Sequence, residues 1–317
     1  MTFKESNQGT GKEINRIACV GAGIIGHSWA TLFSMKGYTV YIQDIKENVV
    51  HRSLRWIKTA LDLCAEKRLI DERDPEAAIN RVTPTTDLSK AVSEADYIVE
   101  SVYENYEVKK QVFRAIDATA PEDAIIASSS SFLLMTEIQK ATTRPERCIE
   151  THPFNPPHLI PLVEIVPGQA TSKNTVNHTV QFMKSLGKVP IVVKKEVAGY
   201  IANRLQRSLN REALDLVNSG VASVEDVDTA LSAGPGIRWA IYGPYLVNYF
   251  NTPSHLLKES TRSGRVKEGY EEYRLLKGKT FDDMVRWRDS MLIDILRVLK
   301  HTSLRAMRTR PYRNGRS

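Results

Sequence analysis

Ile17-Ala-Cys-Val-Gly-Ala-Gly-Ile-Ile-Gly26, running on into a largely apolar stretch to Lys36, decides the fold. Four apolar residues make a short buried strand, three glycines follow at once, and the next stretch has helical spacing until Gly37 stops it. Tyr38 to Ile42 alternates into a second strand with Asp44 at its end. Strand, glycine turn, helix and strand in that order make the crossover unit of a parallel sheet.

A GxGxxG pattern is weak alone, because glycine turns also serve simply to pack a helix on a sheet. Here a strand precedes it, a helix follows, and an acid stands 44 − 26 = 18 residues past the last glycine. Gly21 suits the tight turn, Gly23 the approach of a pyrophosphate and Gly26 close helix–strand packing, with Ile24 and Ile25 opening the helix between them. The pyrophosphate would then meet N–H groups at the positive end of the helix. Asp44 would bond the adenosine ribose and repel a 2′-phosphate, which favours NAD over NADP, although Lys46 nearby pulls the other way.

Working outward, a long helical stretch from Lys46 to about Arg68 and a shorter one from Asp71 to Asn80 form an inserted hairpin. Strands are then expected at Tyr97–Glu100, Ala124–Ser128, Cys148–Thr151, Leu162–Val166 and Val189–Val193. Helices are expected over Glu104–Ala118, Leu133–Lys140 and Thr175–Leu186. After Gly199 the pattern is helical only: Tyr200–Asn218, Val224–Leu231, Tyr245–Asn251 and Phe281–Leu299. The expected architecture is therefore α/β, a Rossmann-type NAD-binding domain with a helical-hairpin insertion over residues 1–198, followed by an all-α domain over 199–317.

The 317 residues carry a net charge of 44 − 37 = +7, which invites a search for an anionic macromolecule. Five arginines between His301 and Ser317 (Arg305, Arg308, Arg310, Arg313, Arg316) and no acid leave 7 − 5 = +2 for the rest. Such a tail suffices for weak, salt-sensitive phosphate contact, but no recognition motif accompanies it, so no specific nucleic-acid partner is expected. Cys19, Cys64 and Cys148 are odd in number and far apart, which indicates neither a disulfide framework nor a zinc site. The most apolar run, Ile17 to Phe33, is broken by three glycines, His27 and Ser28, so no membrane span is expected, and a reducing cytosol is the expected home.

The polar residues that could do chemistry concentrate in the second half of the α/β region. Ser128 to Ser131 follows a strand at the carboxyl edge of the sheet, where open α/β sheets place their ligands. Thr151-His-Pro-Phe-Asn-Pro-Pro157 follows another strand, and Glu164 comes 164 − 152 = 12 residues past His152, inside the apolar run Leu162-Val-Glu-Ile165. A carboxylate among Leu, Val and Ile wants a partner, and a strand–turn–strand could bring it to His152, a base suited to neutral pH. The other reading has His152 opening a proline-rich turn and Glu164 facing water.

The segments GAGIIG, YENYEVKKQVF, SSSSF, HPFNPP, LVEIV and GYIANRLQ resemble, in the same order, those of the 3-hydroxyacyl-CoA dehydrogenase family. The resemblance covers residues 17 to about 250, and the HPFNP–LVE pairing is its most specific part. It implies an NAD-dependent enzyme with a helical domain that commonly mediates dimerisation. His152 then matches the base that takes the 3-hydroxyl proton, and Glu164 the carboxylate that orients it. Ser131 and Asn203 match residues that hydrogen-bond the substrate oxygen. Glu104 and Lys109 match cofactor-contacting positions, and Asn155 lines the same pocket.

Departures from the acyl-CoA pattern bear on the substrate. Ser53-Leu-Arg55 is kept, but the downstream run Trp56-Ile-Lys-Thr-Ala60 has alanine where a lysine for the CoA nucleotide is expected. Arg238-Trp239 and Arg286-Trp-Arg-Asp289 resemble the branch of L-gulonate 3-dehydrogenase (lambda-crystallin), with L-carnitine dehydrogenase related. A small free 3-hydroxy acid such as L-gulonate is therefore expected, with 3-hydroxybutyryl-CoA and L-carnitine as alternatives. Arg238 is expected either to hold the acid's carboxylate through two parallel hydrogen bonds or to pair with an acid at an interface. Tyr242 and Tyr249 are core or pocket. Outside the enzymes, the resemblance also allows an NADH-binding structural protein of the crystallin kind.

Overall fold

Parallel strands need crossovers, and the sequence supplies them in order: β1 (Arg16–Val20), α1 (Ile24–Met35), β2 (Thr39–Gln43), α2 (Glu47–Glu66), α3 (Asp74–Ile79) and β3 (Val82–Thr85). They are followed by α4 (Leu88–Val92), β4 (Tyr97–Glu100), α5 (Tyr106–Thr119), β5 (Ile125–Ser128), α6 (Met135–Ile138) and β6 (Cys148–Pro153). Then come β7 (Leu162–Val166), α7 (Lys173–Ser185) and β8 (Val189–Val192). The computed structural model describes residues 13–71, 74–251, 269–270 and 272–301, so the arginine tail from Arg305 to Arg316 lies outside the described residues.

The sheet runs β3-β2-β1-β4-β5-β6-β7-β8, parallel except where β7 meets β6 antiparallel. The strand order reverses between β1 and β4, which opens a crevice beyond their carboxyl ends. Strands buried on both faces explain the near-continuous apolar runs IACV and YIV, all of whose residues are buried. On one face Trp29 stacks on Phe33 with ring centroids 5.4 Å apart, and Phe33 meets Phe182 of α7 at 6.0 Å. Trp29 Nε1 donates to Ser129 Oγ at 3.1 Å, which ties α1 to the loop after β5.

Three elements lie where none was expected: β3, α4 and, after Gly199, a short helix at Pro235–Trp239. β3 is four residues with a proline, and α4 is five residues capped by Asp87, whose side chain accepts from Lys90 N. Pro84 is tolerated because β3 is an edge strand, paired only to β2. The helix expected from Glu104 begins at Tyr106, because Asn105 takes the cap by accepting from Glu107 N and Val108 N. That leaves Glu104 outside the helix.

The compact units divide between Ser208 and Leu209, within α8 (Ala202–Asn218). The second unit holds the rest of α8, α9 (Val224–Ala233), α10 (Pro235–Trp239), α11 (Pro244–Asn251) and α12 (Phe281–His301). Its small core settles the tyrosines. Tyr242 is buried against Phe250 and Trp287, and Tyr249 packs on Phe250 and Phe281.

Candidate active site

The antiparallel register of β6 and β7 sets His152 directly opposite Glu164. His152 Nδ1 lies 2.7 Å from Glu164 Oε2, with the imidazole 3% exposed and the glutamate wholly buried. Glu164 Oε1 accepts from the backbone N–H of Ile201 and Ala202, at 2.9 and 3.1 Å, where α8 begins. Burial pushes the Glu164 carboxyl up, but the bonds from His152, Ala202 and Ile201 outweigh it and hold the group below the usual glutamate range. A charged carboxylate on Nδ1 favours the tautomer with the proton there, and in that neutral tautomer Nε2 carries the lone pair. This is the paired arrangement; the alternative of a solvent-facing Glu164 is excluded by its burial.

A second set of charges shapes the serine loop. Glu104 Oε1 accepts from Ser130 Oγ at 2.6 Å, Ser131 N at 2.9 Å and Phe132 N at 3.0 Å. Burial raises the Glu104 carboxyl, and Ser130, Lys109 and the two backbone N–H groups together bring it below the ordinary value. Lys109 is 1% exposed; its Nζ donates to Glu100 at 2.8 Å and lies 3.5 Å from Glu104 Oε2. Lys109 therefore sits beneath the loop, acting on it through Glu104. Glu100 also accepts from Ser128 Oγ at 2.9 Å and Val102 N at 2.6 Å. Sequence reasoning passed over Glu100 and Glu150, both acids inside apolar strands, which was the available signal. Neither oxygen of Glu150 has a hydrogen-bond partner among the described residues. Burial, against the pull of Lys109, pushes its carboxyl well above the usual range.

The remaining candidate residues lie on the loop after β5, the turn after β6 and α8 of the first unit, and on α10 of the second. Ser131 and Asn203 are half-buried, and Asn155 is exposed on the turn after β6. The buried ammonium of Lys188 donates to the carbonyls of Pro157 and Ile160, pinning that turn, and desolvation lowers its pKa to about 8. The ring of Tyr200 lies 5.3 Å from that of His152, and its hydroxyl donates to Leu133 O at 3.0 Å. Arg238 lies half-buried on α10 in the second unit and makes no ion pair with the described residues.

The glycine turn passes a test for a dinucleotide. Gly21 has φ +94°, and a Cβ there would meet Ser101 O at 2.7 Å, so this glycine is demanded by the fold. A Cβ on Gly23 would meet nothing within 4 Å, so the protein's own packing does not demand glycine there and the space beside it is open to a pyrophosphate. No side chain caps α1 at Gly23, so its first N–H groups remain available for phosphate. Asp44 is positioned by backbone: Ala22 N donates to Oδ2 and Lys46 N to Oδ1, each at 3.1 Å. Beside it Ile24 and Ile45 are exposed, apolar surface that a cofactor would cover.

Residues 16–197 match the family model described as 3-hydroxyacyl-CoA dehydrogenase, NAD binding domain, and residues 199–290 match its C-terminal domain. The chain belongs to the 3-hydroxyacyl-CoA dehydrogenase family. An L-carnitine dehydrogenase of Bacillus cereus is 42% identical over 233 residues, covering 74% of this chain and 70% of that protein. A lambda-crystallin homolog of Homo sapiens is 35% identical over 241 residues, 76% of each. The solved (S)-3-hydroxybutyryl-CoA dehydrogenase of Ralstonia eutropha superposes with a TM-score of 0.65 at 31% identity, covering 71% of this chain and 78% of that one. The protein is thus an NAD-dependent oxidoreductase of the 3-hydroxyacyl-CoA/3-hydroxy acid dehydrogenase type. Among the described residues no helix is long and apolar enough to cross a membrane, and no cluster of ligating side chains suits a metal.

Proposed function

We propose that this dehydrogenase oxidises the 3-hydroxyl of a small free L-3-hydroxy acid to the ketone, with L-gulonate the first candidate. The buried His152–Glu164 pair carries the chemistry. His152 Nε2 takes the hydroxyl proton as the C3 hydride leaves, and Glu164 stabilises the resulting imidazolium without taking the proton itself. NAD, when bound, accepts the hydride. Gly21, Gly23, Ile24, Ile25, Gly26 and Asp44 hold the dinucleotide. Ser131 and Asn203 hydrogen-bond the reacting oxygen, and Glu104, backed by Lys109, keeps the Ser131 loop in place.

What supports a free acid over a CoA thioester is the surface of α2. Lys58 is engaged with Asp62 at 2.6 Å, position 60 is alanine, and the Trp56 ring is taken up by His27, tilted against it at 4.7 Å, and by the Arg52 guanidinium 4.9 Å from its centroid. L-carnitine is the second reading, favoured by the name of the Bacillus cereus relative. The division of labour falls near Ala198, with residues 199–317 serving substrate and a homodimer; exposed Leu214, Val221 and Val224 are surface for a second copy. A cytoplasmic home suits three free, buried cysteines.

The experiment is NAD reduction on 3-hydroxy substrates by the wild type and His152→Ala. The variant should lose turnover and keep NADH affinity within about threefold. Retention of more than a few per cent of the rate removes His152 from the mechanism. No turnover by the wild type on any 3-hydroxy compound favours the crystallin-like structural role.

A further inference from the structure

We infer that Arg207, rather than Arg238, grips the substrate carboxylate. This rests on the free-acid reading above and adds the residue that enforces it. Arg207 lies on α8 four residues past Asn203, so the two share one face of the helix. Its guanidinium sits over the ring of Phe132, 4.6 Å from the centroid, and Phe132 is the residue after Ser131. A Cβ placed on Gly199 would lie 3.4 Å from the Phe132 ring and 3.7 Å from both Asn203 Cβ and Arg204 Cγ, so the ring and the first turn of α8 flank one spot. The next residue, Tyr200, meets the His152 ring. Two contacts, Tyr200 with His152 and Arg207 with Phe132, thus lie on either side of Gly199 within a single compact unit.

The chemistry of this arginine fits an anion. Among the described residues its guanidinium has no hydrogen bond and no ion pair, and its one contact is the Phe132 ring. A guanidinium over an aromatic face is held there while its N–H donors stay free for two parallel bonds to a carboxylate. Phe132 is anchored for this task through its own N–H to Glu104. Arg238, by contrast, sits on a five-residue helix in the other unit. A 3-hydroxy acid whose hydroxyl lies against Ser131, Asn203 and His152 would present its carboxylate to the stacked guanidinium. A neutral acyl ester would not use it.

The test compares L-3-hydroxybutyrate with its methyl ester, under saturating NAD, for the wild type, Arg207→Met, Arg207→Lys and Arg238→Met. In Arg207→Met the acid-to-ester ratio of kcat/KM should fall ten- to a hundredfold, mainly through KM for the acid. Arg207→Lys, keeping charge without the planar fork, should fall between. An unmoved ratio in Arg207→Met, or the predicted fall found in Arg238→Met alone, overturns the inference while leaving the free-acid reading standing. A wild type that turns over neither probe but oxidises 3-hydroxybutyryl-CoA overturns both.

Discussion

Replacing Glu164 by glutamine is the sharpest test of the site's electrostatics, because it removes one charge and almost no volume. The wild-type carboxylate serves two kinds of donor: Nδ1–H of His152 on Oε2, and the N–H groups of Ile201 and Ala202 on Oε1. An amide has one acceptor oxygen and one donor nitrogen. If its oxygen faces His152, its NH2 confronts two backbone N–H donors at the start of α8. If its NH2 faces His152, the proton is forced to Nε2 and the base loses the lone pair it needs. Either way the charge that supports the imidazolium is gone. Charges about 4 Å apart attract by about 4 kcal/mol at an effective dielectric of about 20. Losing half to all of that slows the reaction by roughly 30- to 1000-fold, and the tautomer conflict adds to it, toward the loss of about 10⁴ known for such a change in a serine-protease triad. We expect kcat of Glu164→Gln to fall by about 10² to 10⁴ in an NADH absorbance assay, with NADH affinity preserved. A kcat within threefold of wild type refutes the reasoning.

The two glycines of the turn separate folding from binding. Gly21→Ala, at φ +94° and 2.7 Å from Ser101 O, should lower stability by about 2 kcal/mol or more, seen in Tm, whereas Gly23→Ala should leave Tm unchanged and weaken NADH binding about tenfold. The wild type should prefer NADH to NADPH in a fluorescence titration, and Asp44→Ala should narrow that preference at least tenfold; equal affinity of the wild type for both removes the role of Asp44. Glu150 has a folded-state pKa raised above its unfolded value, so its contribution is fully present at acid pH and is lost as pH rises from the ordinary glutamate range toward the folded value. In that window Glu150→Gln should gain on the wild type by about 1.4 kcal/mol per pH unit, so its Tm advantage should grow as pH rises above the ordinary glutamate range, and a pH-independent difference counts against a protonated Glu150.

The α/β architecture was legible because the decisive strands are apolar runs and the glycine turn carries its own context. β3 was not: Val-Thr-Pro-Thr is short, without alternation, and an edge strand needs little apolar surface. Twelve residues between His152 and Glu164 made their meeting possible, but the outcome depended on register, since a slip of one residue would turn Glu164 to the other face. The partners of Glu164 and Glu104 other than His152, Ser130 and Lys109 were hidden for a different reason. They are backbone N–H groups at Ile201, Ala202, Ser131 and Phe132, which have no residue signature and exist only once the chain is folded. Arg207 was passed over because its neighbour Phe132 is 75 positions away in the chain (207 − 132), and an exposed helical arginine carries no signal of stacking.

The central claim is a dehydrogenase for a small free 3-hydroxy acid. It is tested most directly by kcat/KM for L-gulonate, L-carnitine, L-3-hydroxybutyrate and 3-hydroxybutyryl-CoA measured side by side with NAD. A free acid, L-gulonate first, should exceed the thioester by at least tenfold. A thioester ahead by orders of magnitude contradicts the account of the substrate.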